Sequence, residues 1–224
     1  MIKRVILPIL VLLAVAGRCC AQEGFGFALD GIYGARFPTA AYIGYTDTDT
    51  VAWAVEPIEY LTKYGIVSGD GDGKFRPLDH VSNAEYIKML VDAFGLFNPE
   101  ADMEISYISS EEWYYNYYAG ALQAGIIKEK KEYLPEEDID RIQMAVISYN
   151  ALKIAGLNSA PTFENEFTDH DLIDEEYISA VYTLKENNII SGDENVFFHP
   201  NDSTRRAEAC KVVYNLIKLT EKNQ

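Results

Sequence analysis

The sequence predicts an all-α protein built from helix–loop–helix pairs, and three observations carry that prediction. The first is a threefold internal echo. Tyr64-Gly65-Ile66-Val67-Ser68-Gly69, Phe75-Arg76-Pro77 and Ser82-Asn83-Ala84-Glu85 return as Ala124-Gly125-Ile126-Ile127, Tyr133-Leu134-Pro135 and Asp140-Arg141-Ile142-Gln143. They return again as Asn188-Ile189-Ile190-Ser191-Gly192, Phe198-His199-Pro200 and Arg205-Arg206-Ala207-Glu208. Each copy places an aromatic residue two before a proline and ten before a Glu or Gln. The second observation is that apolar residues recur at helical spacing on both sides of each aromatic-x-Pro element. The third is Ser82-x-x-Glu85, a capping box in which each side chain satisfies the other residue's backbone N–H. Units this small bury a core only against their neighbours.

The elements follow in order. In residues 1–21, Lys3-Arg4 precede an apolar stretch from Val5 to Ala16, and small residues lead to Cys19-Cys20-Ala21. That is the pattern of a signal peptide cut after Ala21. The apolar stretch is shorter than the roughly 20 residues of a membrane span. A lipid anchor on Cys19 or Cys20 is the alternative, and Arg18 disfavours it. Residues 22–44 are rich in Gly and aromatics without helical period, an irregular lead-in. The first repeat covers 45–97. Trp53, Ile58, Leu61 and Ile66 mark its first helix, with Pro57 either in the first turn or at a kink and Gly65 at a left-handed C-terminal position. Ile87, Leu90, Val91 and Phe94 form the apolar stripe of its second helix, and Gly95 ends it. The second repeat covers 105–157, with Met144, Ile147 and Leu152 on its second helix. A linker holds Pro161. The third repeat covers 167–219, with Cys210, Val213, Leu216 and Ile217. Arg205 is no helix cap, which leaves Thr204 or Ser203 for that task. The loop aromatic of each copy is expected to plug the gap between its helices.

Charge narrows the partners. The chain of 224 residues carries a net charge of −16, and loss of the cations Lys3, Arg4 and Arg18 with the leader takes it to −19. That excludes nucleic acid, whose binders need basic patches, and argues against anionic lipid. After cleavage Cys210 is the one remaining thiol, in the slot held by Ile87 and Ala145, so it reads as a small buried hydrophobe.

The run Trp53-Ala54, Ile58, Leu61, Gly65-Ile66, Gly69-Asp70-Gly71-Asp72-Gly73-Lys74-Phe75-Arg76-Pro77 resembles the S-layer homology (SLH) domain. Residues 167–219 resemble it through Ile189, Gly192-Asp193, Phe198, Pro200 and Arg206-Ala207-Glu208. The middle copy is in register through Trp113, Gly125-Ile126 and Arg141. The resemblance implies a triplet packed as a pseudo-threefold bundle. It implies a role in holding exported proteins non-covalently to the cell wall, at the cell surface or in an S-layer. The implied ligand is a secondary cell-wall polysaccharide, pyruvylated in many cases, or peptidoglycan, lying in grooves between repeats. It also implies that an arginine of the Thr-Arg-Ala-Glu motif takes part in binding. Carried over by position, the arginine slot is Asn83, Arg141 and Arg206. The threonine slot is Ser82, Asp140 and Arg205, and the glutamate slot is Glu85, Gln143 and Glu208. An arginine near a helix N-terminus offers a carboxylate a planar donor beside free N–H groups. Asn83 cannot neutralise a carboxylate, so the first site is expected to be weak or altered.

Other features carry two readings each. Trp53 and Trp113 stack on sugar rings or fill inter-repeat core. Tyr114, Tyr115, Tyr117 and Tyr118 cover more than one helix face, so some rings are exposed or lie at an interface, as a sugar platform or protein contact. Ser68-x-Asp70-x-Asp72-Gly73 is a glycine turn or an imperfect calcium loop, lacking the EF-hand's first Asp and last Glu. His80, His170 and His199 lack metal-ligand spacing. No carboxylate pair stands out as an acid and base, and no phosphate-binding glycine loop is present, so no cofactor and no enzyme is expected. The functional expectation is a polymer-binding envelope module using Arg141, Arg206, Asn83, Trp53 and Trp113, with a possible protein partner. An interaction scaffold that has lost polymer binding is the alternative.

Overall fold

The computed structural model describes residues 44–100, 103–128, 132–157, 159–163 and 166–223. The expected signal peptide and all of the lead-in but residue 44 lie outside the described residues. Among the described residues six α-helices run α1 Val55–Lys63, α2 Asn83–Ala93, α3 Tyr115–Ala124, α4 Arg141–Ile154, α5 Glu175–Glu186 and α6 Arg206–Lys222, with 3₁₀ turns at Thr48–Ala54 and His170–Leu172. No strand occurs among the described residues, so the all-α expectation is met. Pro57 is the third residue of α1 and buried. It sits in the first turn, where its missing N–H costs nothing. Gly65 and Gly125 take left-handed φ values of 71° and 77° after α1 and α3.

The helices pack in a cyclic order. The second helices α2, α4 and α6 touch one another, while α1 packs on α6, α3 on α2 and α5 on α4. Each first helix thus lies on a second helix from a different pair. Tyr86 and Ser148 join α2 to α4 by a buried hydrogen bond of 2.7 Å. The loop aromatics Phe75, Tyr133 and Phe198 are buried, as are Ile87, Ala145 and Cys210 at their shared slot. Burial pushes the Cys210 thiol up to about 12.

The three loops close on one another through a ring of backbone hydrogen bonds. Val81 N–H donates to Thr204 C=O at 3.0 Å, Thr204 N–H to Ile139 C=O at 2.9 Å, and Ile139 N–H to Val81 C=O at 3.0 Å. The helix starts dock the same way. Ala84, Ile142 and Ala207 donate their N–H groups to Pro135, Pro200 and Pro77, and Asn83, Arg141 and Arg206 donate theirs to Glu137, Asp202 and Asp79. First-turn N–H groups have no intrahelical partner, and here the loop of another pair supplies the acceptors. Ser82 and Asp140 add reciprocal capping boxes with Glu85 and Gln143. At α6 the expected cap by Thr204 or Ser203 does not form. The Glu208 carboxylate accepts the Arg205 N–H at 2.9 Å, and the Thr204 hydroxyl is buried without a hydrogen-bond partner. The neighbouring loop takes the Arg206 and Ala207 N–H groups as it does at α2 and α4, but Arg205 stands where Ser82 and Asp140 supply the capping oxygen.

Candidate functional site

Docking each second helix on another pair's loop decides where the arginine slots go. Arg206 is the first residue of α6, and its side chain lies over the loop before α2. Its Nε–H donates to Phe75 C=O and one Nη2–H to Ser68 C=O, both at 3.1 Å. Its guanidinium carbon stands 4.7 Å from the Phe75 ring centre, and Nη1 is 3.5 Å from a Glu85 carboxylate oxygen. Arg141, first in α4, repeats this over the loop before α6. Nε–H donates to Phe198 C=O at 2.7 Å and Nη2 to Ser191 C=O at 3.4 Å. Nη1 meets Glu208 at 3.4 Å, and the Phe198 ring centre is 5.3 Å away. A guanidinium has five N–H donors. Two are fixed by carbonyls and one faces a carboxylate, which leaves two on a pre-oriented group lying over an aromatic ring.

Each arginine lines a surface cleft. The Arg206 cleft has a volume of about 270 Å³ and is lined by Ser68, Glu85, Lys88 and Trp113 among others. The Arg141 cleft is larger, about 1090 Å³, and is lined by Trp53, Ser191, Glu208 and Lys211 among others. Trp53 and Trp113 are 50% and 55% exposed, so the inter-repeat core reading does not hold for them. The reason is positional: both lie ahead of the helices that pack inward, on the rim of a groove made by the other two pairs. Lys211 Nζ stands 5.2 Å from the Trp53 ring centre.

The third arginine slot is built differently. Asn83 is only 1% exposed, and its amide donates to Leu134 C=O at 3.0 Å and Glu137 C=O at 3.1 Å. It sits behind the surface, bracing a loop. The corresponding cleft, about 190 Å³, is lined by Lys128, Glu132, Tyr133, Val146, Glu176 and Tyr177 among others. The Asn83 slot is thus altered, but it does not lie on its own repeat's loop. The groove on the loop before α2 receives Arg206, and the position lacking arginine serves the loop before α4.

Two aspartates that sequence reasoning passed over hold the loops beneath the arginines. Asp47 accepts the Phe75 and Arg76 N–H groups at 2.9 and 2.8 Å. Asp169 accepts those of Phe198 and His199 at 2.7 Å each. Burial pushes the Asp47 carboxyl up, but the two N–H groups outweigh it and hold it below the usual range. They fix Arg76 and His199 at φ of 56° and 59°, left-handed values uncommon outside glycine. Each closes an aromatic-Thr-Asp triplet, Tyr45-Thr46-Asp47 and Phe167-Thr168-Asp169, which is the signal that could have found them. Gly69 also serves the first loop: a Cβ there would stand 2.3 Å from Lys74 O.

Asp70 and Asp72 are both engaged by the Arg76 guanidinium, with Asp72 at 2.7 Å, which fits the glycine-turn reading of that loop. Tyr114 and Tyr118 are buried and Tyr115 and Tyr117 half-buried, so the tyrosine cluster is mostly packing, and Trp113 beside it is the exposed ring. His80 meets Asp138 at 2.9 Å, His170 meets the Tyr182 hydroxyl at 2.9 Å, and His199 meets Asp193 at 3.1 Å. No group of metal-ligating side chains occurs among the described residues. No described helix is long and apolar enough to cross a membrane.

Comparison with known proteins bears on the same segments. The chain is 28% identical over 168 residues to an amylopullulanase of Thermoanaerobacterium thermosulfurigenes, covering 74% of this chain and 9% of that protein. It is 26% identical over 163 residues to the surface-layer 125 kDa protein of Lysinibacillus sphaericus, covering 71% and 13%. It is 32% identical over 127 residues to the S-layer protein sap of Bacillus anthracis, covering 55% and 15%. The chain therefore spans a small part, 9% to 15%, of these relatives' lengths. The family model of the S-layer homology domain matches residues 44–87 and 166–210, the two segments that carry the pinned, arginine-covered loops.

Proposed function

We propose that this chain is an exported, non-catalytic module that attaches non-covalently to a polymer of the cell envelope, either a secondary wall polysaccharide or peptidoglycan. On this reading 45–97, 105–157 and 167–219 are three SLH repeats forming a pseudo-threefold bundle. The cyclic helix contacts and the ring of loop hydrogen bonds support that. The relatives differ in name, from an amylopullulanase to surface-layer proteins, and the stretch that matches this chain is 9% to 15% of their lengths. That supports attachment, not catalysis, as the common function.

The observation that carries the reading is the repeated groove. In two places a ring-stacked arginine, a lysine and a half-exposed tryptophan meet at one cleft. The remaining N–H groups of the arginine suit an oxyanion on the polymer, a pyruvate ketal carboxylate among the candidates. The indole offers an apolar face with a polar edge, which suits a sugar ring. The arginines face the grooves and contact their glutamates within them, not on a separate surface, which favours polymer binding over a scaffold without it.

The test is sedimentation of the purified mature protein with wall preparations, either intact or stripped of secondary polysaccharide. Sedimentation with intact walls alone supports a polysaccharide ligand, and sedimentation with both supports peptidoglycan. Sedimentation with neither refutes wall attachment and leaves the scaffold.

A further inference from the structure

We infer that the Arg141 groove is a pH-dependent anion site, strengthened in mild acid by His199 and His80, whereas the Arg206 groove, built on Arg76 in place of His199, keeps its charge across the same range. The inference rests on the wall-polymer reading above and adds to it a regulation by pH that differs between the two grooves.

The two loops beneath the arginines match place for place. Gly69-Asp70 and Phe75-Arg76-Pro77 in one stand where Gly192-Asp193 and Phe198-His199-Pro200 stand in the other. Arg76 and His199 share the left-handed backbone, at φ of 56° and 59°, and each turns back to the aspartate that follows the glycine. Arg76 is bonded to Asp70 and, at 2.7 Å, to Asp72. His199 Nε2 stands 3.1 Å from Asp193 Oδ2, its ring stacked on Phe197. Asp70 lines the Arg206 cleft, and Asp193 and His199 line the Arg141 cleft. The same acidic place is therefore answered by a permanent cation at one groove and by a titratable imidazole at the other.

His80 adds a second imidazole to the Arg141 cleft. It comes from the loop before α2, bridges by backbone to Arg205 of the loop before α6, and sets Nδ1 2.9 Å from Asp138 Oδ2 of the loop before α4. The chain's third histidine, His170, is bonded to the Tyr182 hydroxyl and lines neither cleft. The side chains of His80 and His199 are 49% and 44% exposed, so solvent protons reach both. Asp169, ahead of α5, accepts the His199 N–H. Arg141 from α4, Arg205, Glu208 and Lys211 at α6, and Asp193 and Asp202 on the loop line the same cleft. With both imidazoles neutral, its three cations are matched by its three carboxylates, and each His–Asp pair carries one negative charge. The Phe197 N–H, then His199, hold the Asp193 carboxyl below its usual range, so in that pair the histidine is the group that titrates. Protonation makes both pairs neutral and the cleft lining positive. Histidine ordinarily changes charge between pH 5 and 8, where a polymer carboxylate stays ionised. A charge gained roughly 8 Å from a bound carboxylate in a partly screened cleft strengthens binding about threefold, so two give about tenfold.

The experiment is sedimentation of the full mature protein with intact walls, titrated near pH 8, 6.5 and 5.5. Arg206→Gln leaves the Arg141 groove, and half-saturation should then need about tenfold less wall near pH 5.5 than near pH 8. Arg141→Gln leaves the Arg206 groove and should change by less than about twofold, which also controls for a change in the polymer itself. The arginines brace loop carbonyls, so the histidines are also exchanged with both arginines in place. His199→Arg copies Arg76 at a backbone angle that arginine already adopts. It should tighten binding near pH 8 and shrink the pH dependence, and with His80→Gln added the dependence should vanish. His170→Asn should retain it. A flat profile in Arg206→Gln, an equal rise in Arg141→Gln, or a dependence that survives the paired His80 and His199 exchange would each overturn the inference. If the unaltered protein sediments near pH 8 and its profile is flat, the pH dependence alone fails. If it sediments at no pH, wall attachment and the inference fall together.

Discussion

Replacing Asp169 by Asn should cost more stability than any other single-atom exchange near the Arg141 groove. The carboxylate is buried and accepts two N–H groups at 2.7 Å, from Phe198 and His199. Asparagine has the same shape but one oxygen. Whichever way the amide is turned, one N–H faces an NH₂ group, and the surviving hydrogen bond is no longer charge-assisted. A hydrogen bond to a charged group contributes about 1.5–3 kcal/mol, and an orphaned buried donor costs about 1–3 kcal/mol. These overlap, so the net loss should be about 2–4 kcal/mol. At about 2–4 °C per kcal/mol for a chain of this size, Tm should fall by roughly 5–15 °C. Thermal and urea unfolding measure it, with the exposed neighbour Asp171→Asn as a control expected within about 0.5 kcal/mol of the unaltered protein. The loss should also reach the groove. His199 relaxes from its left-handed conformation, and the Phe198 carbonyl that holds Arg141 Nε at 2.7 Å moves with it. A Tm within about 1 °C of the unaltered protein would show that the carboxylate does not hold this loop.

Three further predictions test other parts of the structure. Thr204→Val should stabilise the protein by about 1 kcal/mol, since it removes a buried hydroxyl without a partner at a place where the other loops carry Val81 and Ile139; a lower urea midpoint would contradict it. Cys210, its thiol pushed up to about 12 by burial, should resist a thiol reagent near pH 8 in the native state and react on unfolding; rapid native labelling would contradict its burial. Stability should fall in acid. Asp47, Asp72 and Asp193 lie below their usual values, Asp72 and Asp193 chiefly because backbone N–H groups of Lys74 and Phe197 bond to them. Each contributes stability fully present above the unfolded value of about 3.9 and lost as pH falls through its lower folded value. Burial raises Asp140, which acts in the opposite sense, so Asp193→Asn should flatten the acid limb of the urea midpoint and Asp140→Asn should steepen it.

The helix pairs were legible because each rests on local signals. Gly65 ends α1, the Ser82–Glu85 box begins α2, and the stripe from Ile87 to Val91 selects the buried face; neighbours in sequence fix all of these. Burial of Phe75, Tyr133 and Phe198 followed from their place beside proline. Asp47 and Asp169 were less legible, because their partners lie 28 to 30 residues downstream and an aspartate before a helix ordinarily reads as a cap. Trp53 and Trp113 were ambiguous for a different reason. A tryptophan ahead of an amphipathic helix packs inward or outward according to what lies opposite, and that is a groove between other pairs.

The site itself was the least legible part, and the reason is the way the second helices begin. Ala207 and Arg206 donate their N–H groups to Pro77 and Asp79, so the first turn of α6 is bolted to the loop before α2, and the side chain of Arg206 must cross to that loop. Glu208, two residues on, faces the other way and meets Arg141. Arginine and glutamate adjacent in one motif therefore belong to different grooves. Glu208→Gln should act on the Arg141 groove and leave the Arg206 groove alone. Removing a partly exposed carboxylate 3.4 Å from Arg141 Nη1 frees a donor and removes a competitor for it. An exposed pair is worth about 0.2–1 kcal/mol, so affinity for an acidic saccharide should rise by a factor of up to about five. Measured in an Arg206→Gln background, where only the Arg141 groove remains, the rise should be present; in an Arg141→Gln background it should vanish. The opposite pattern would mean that each repeat owns its own site, and the composite grooves would have to be abandoned.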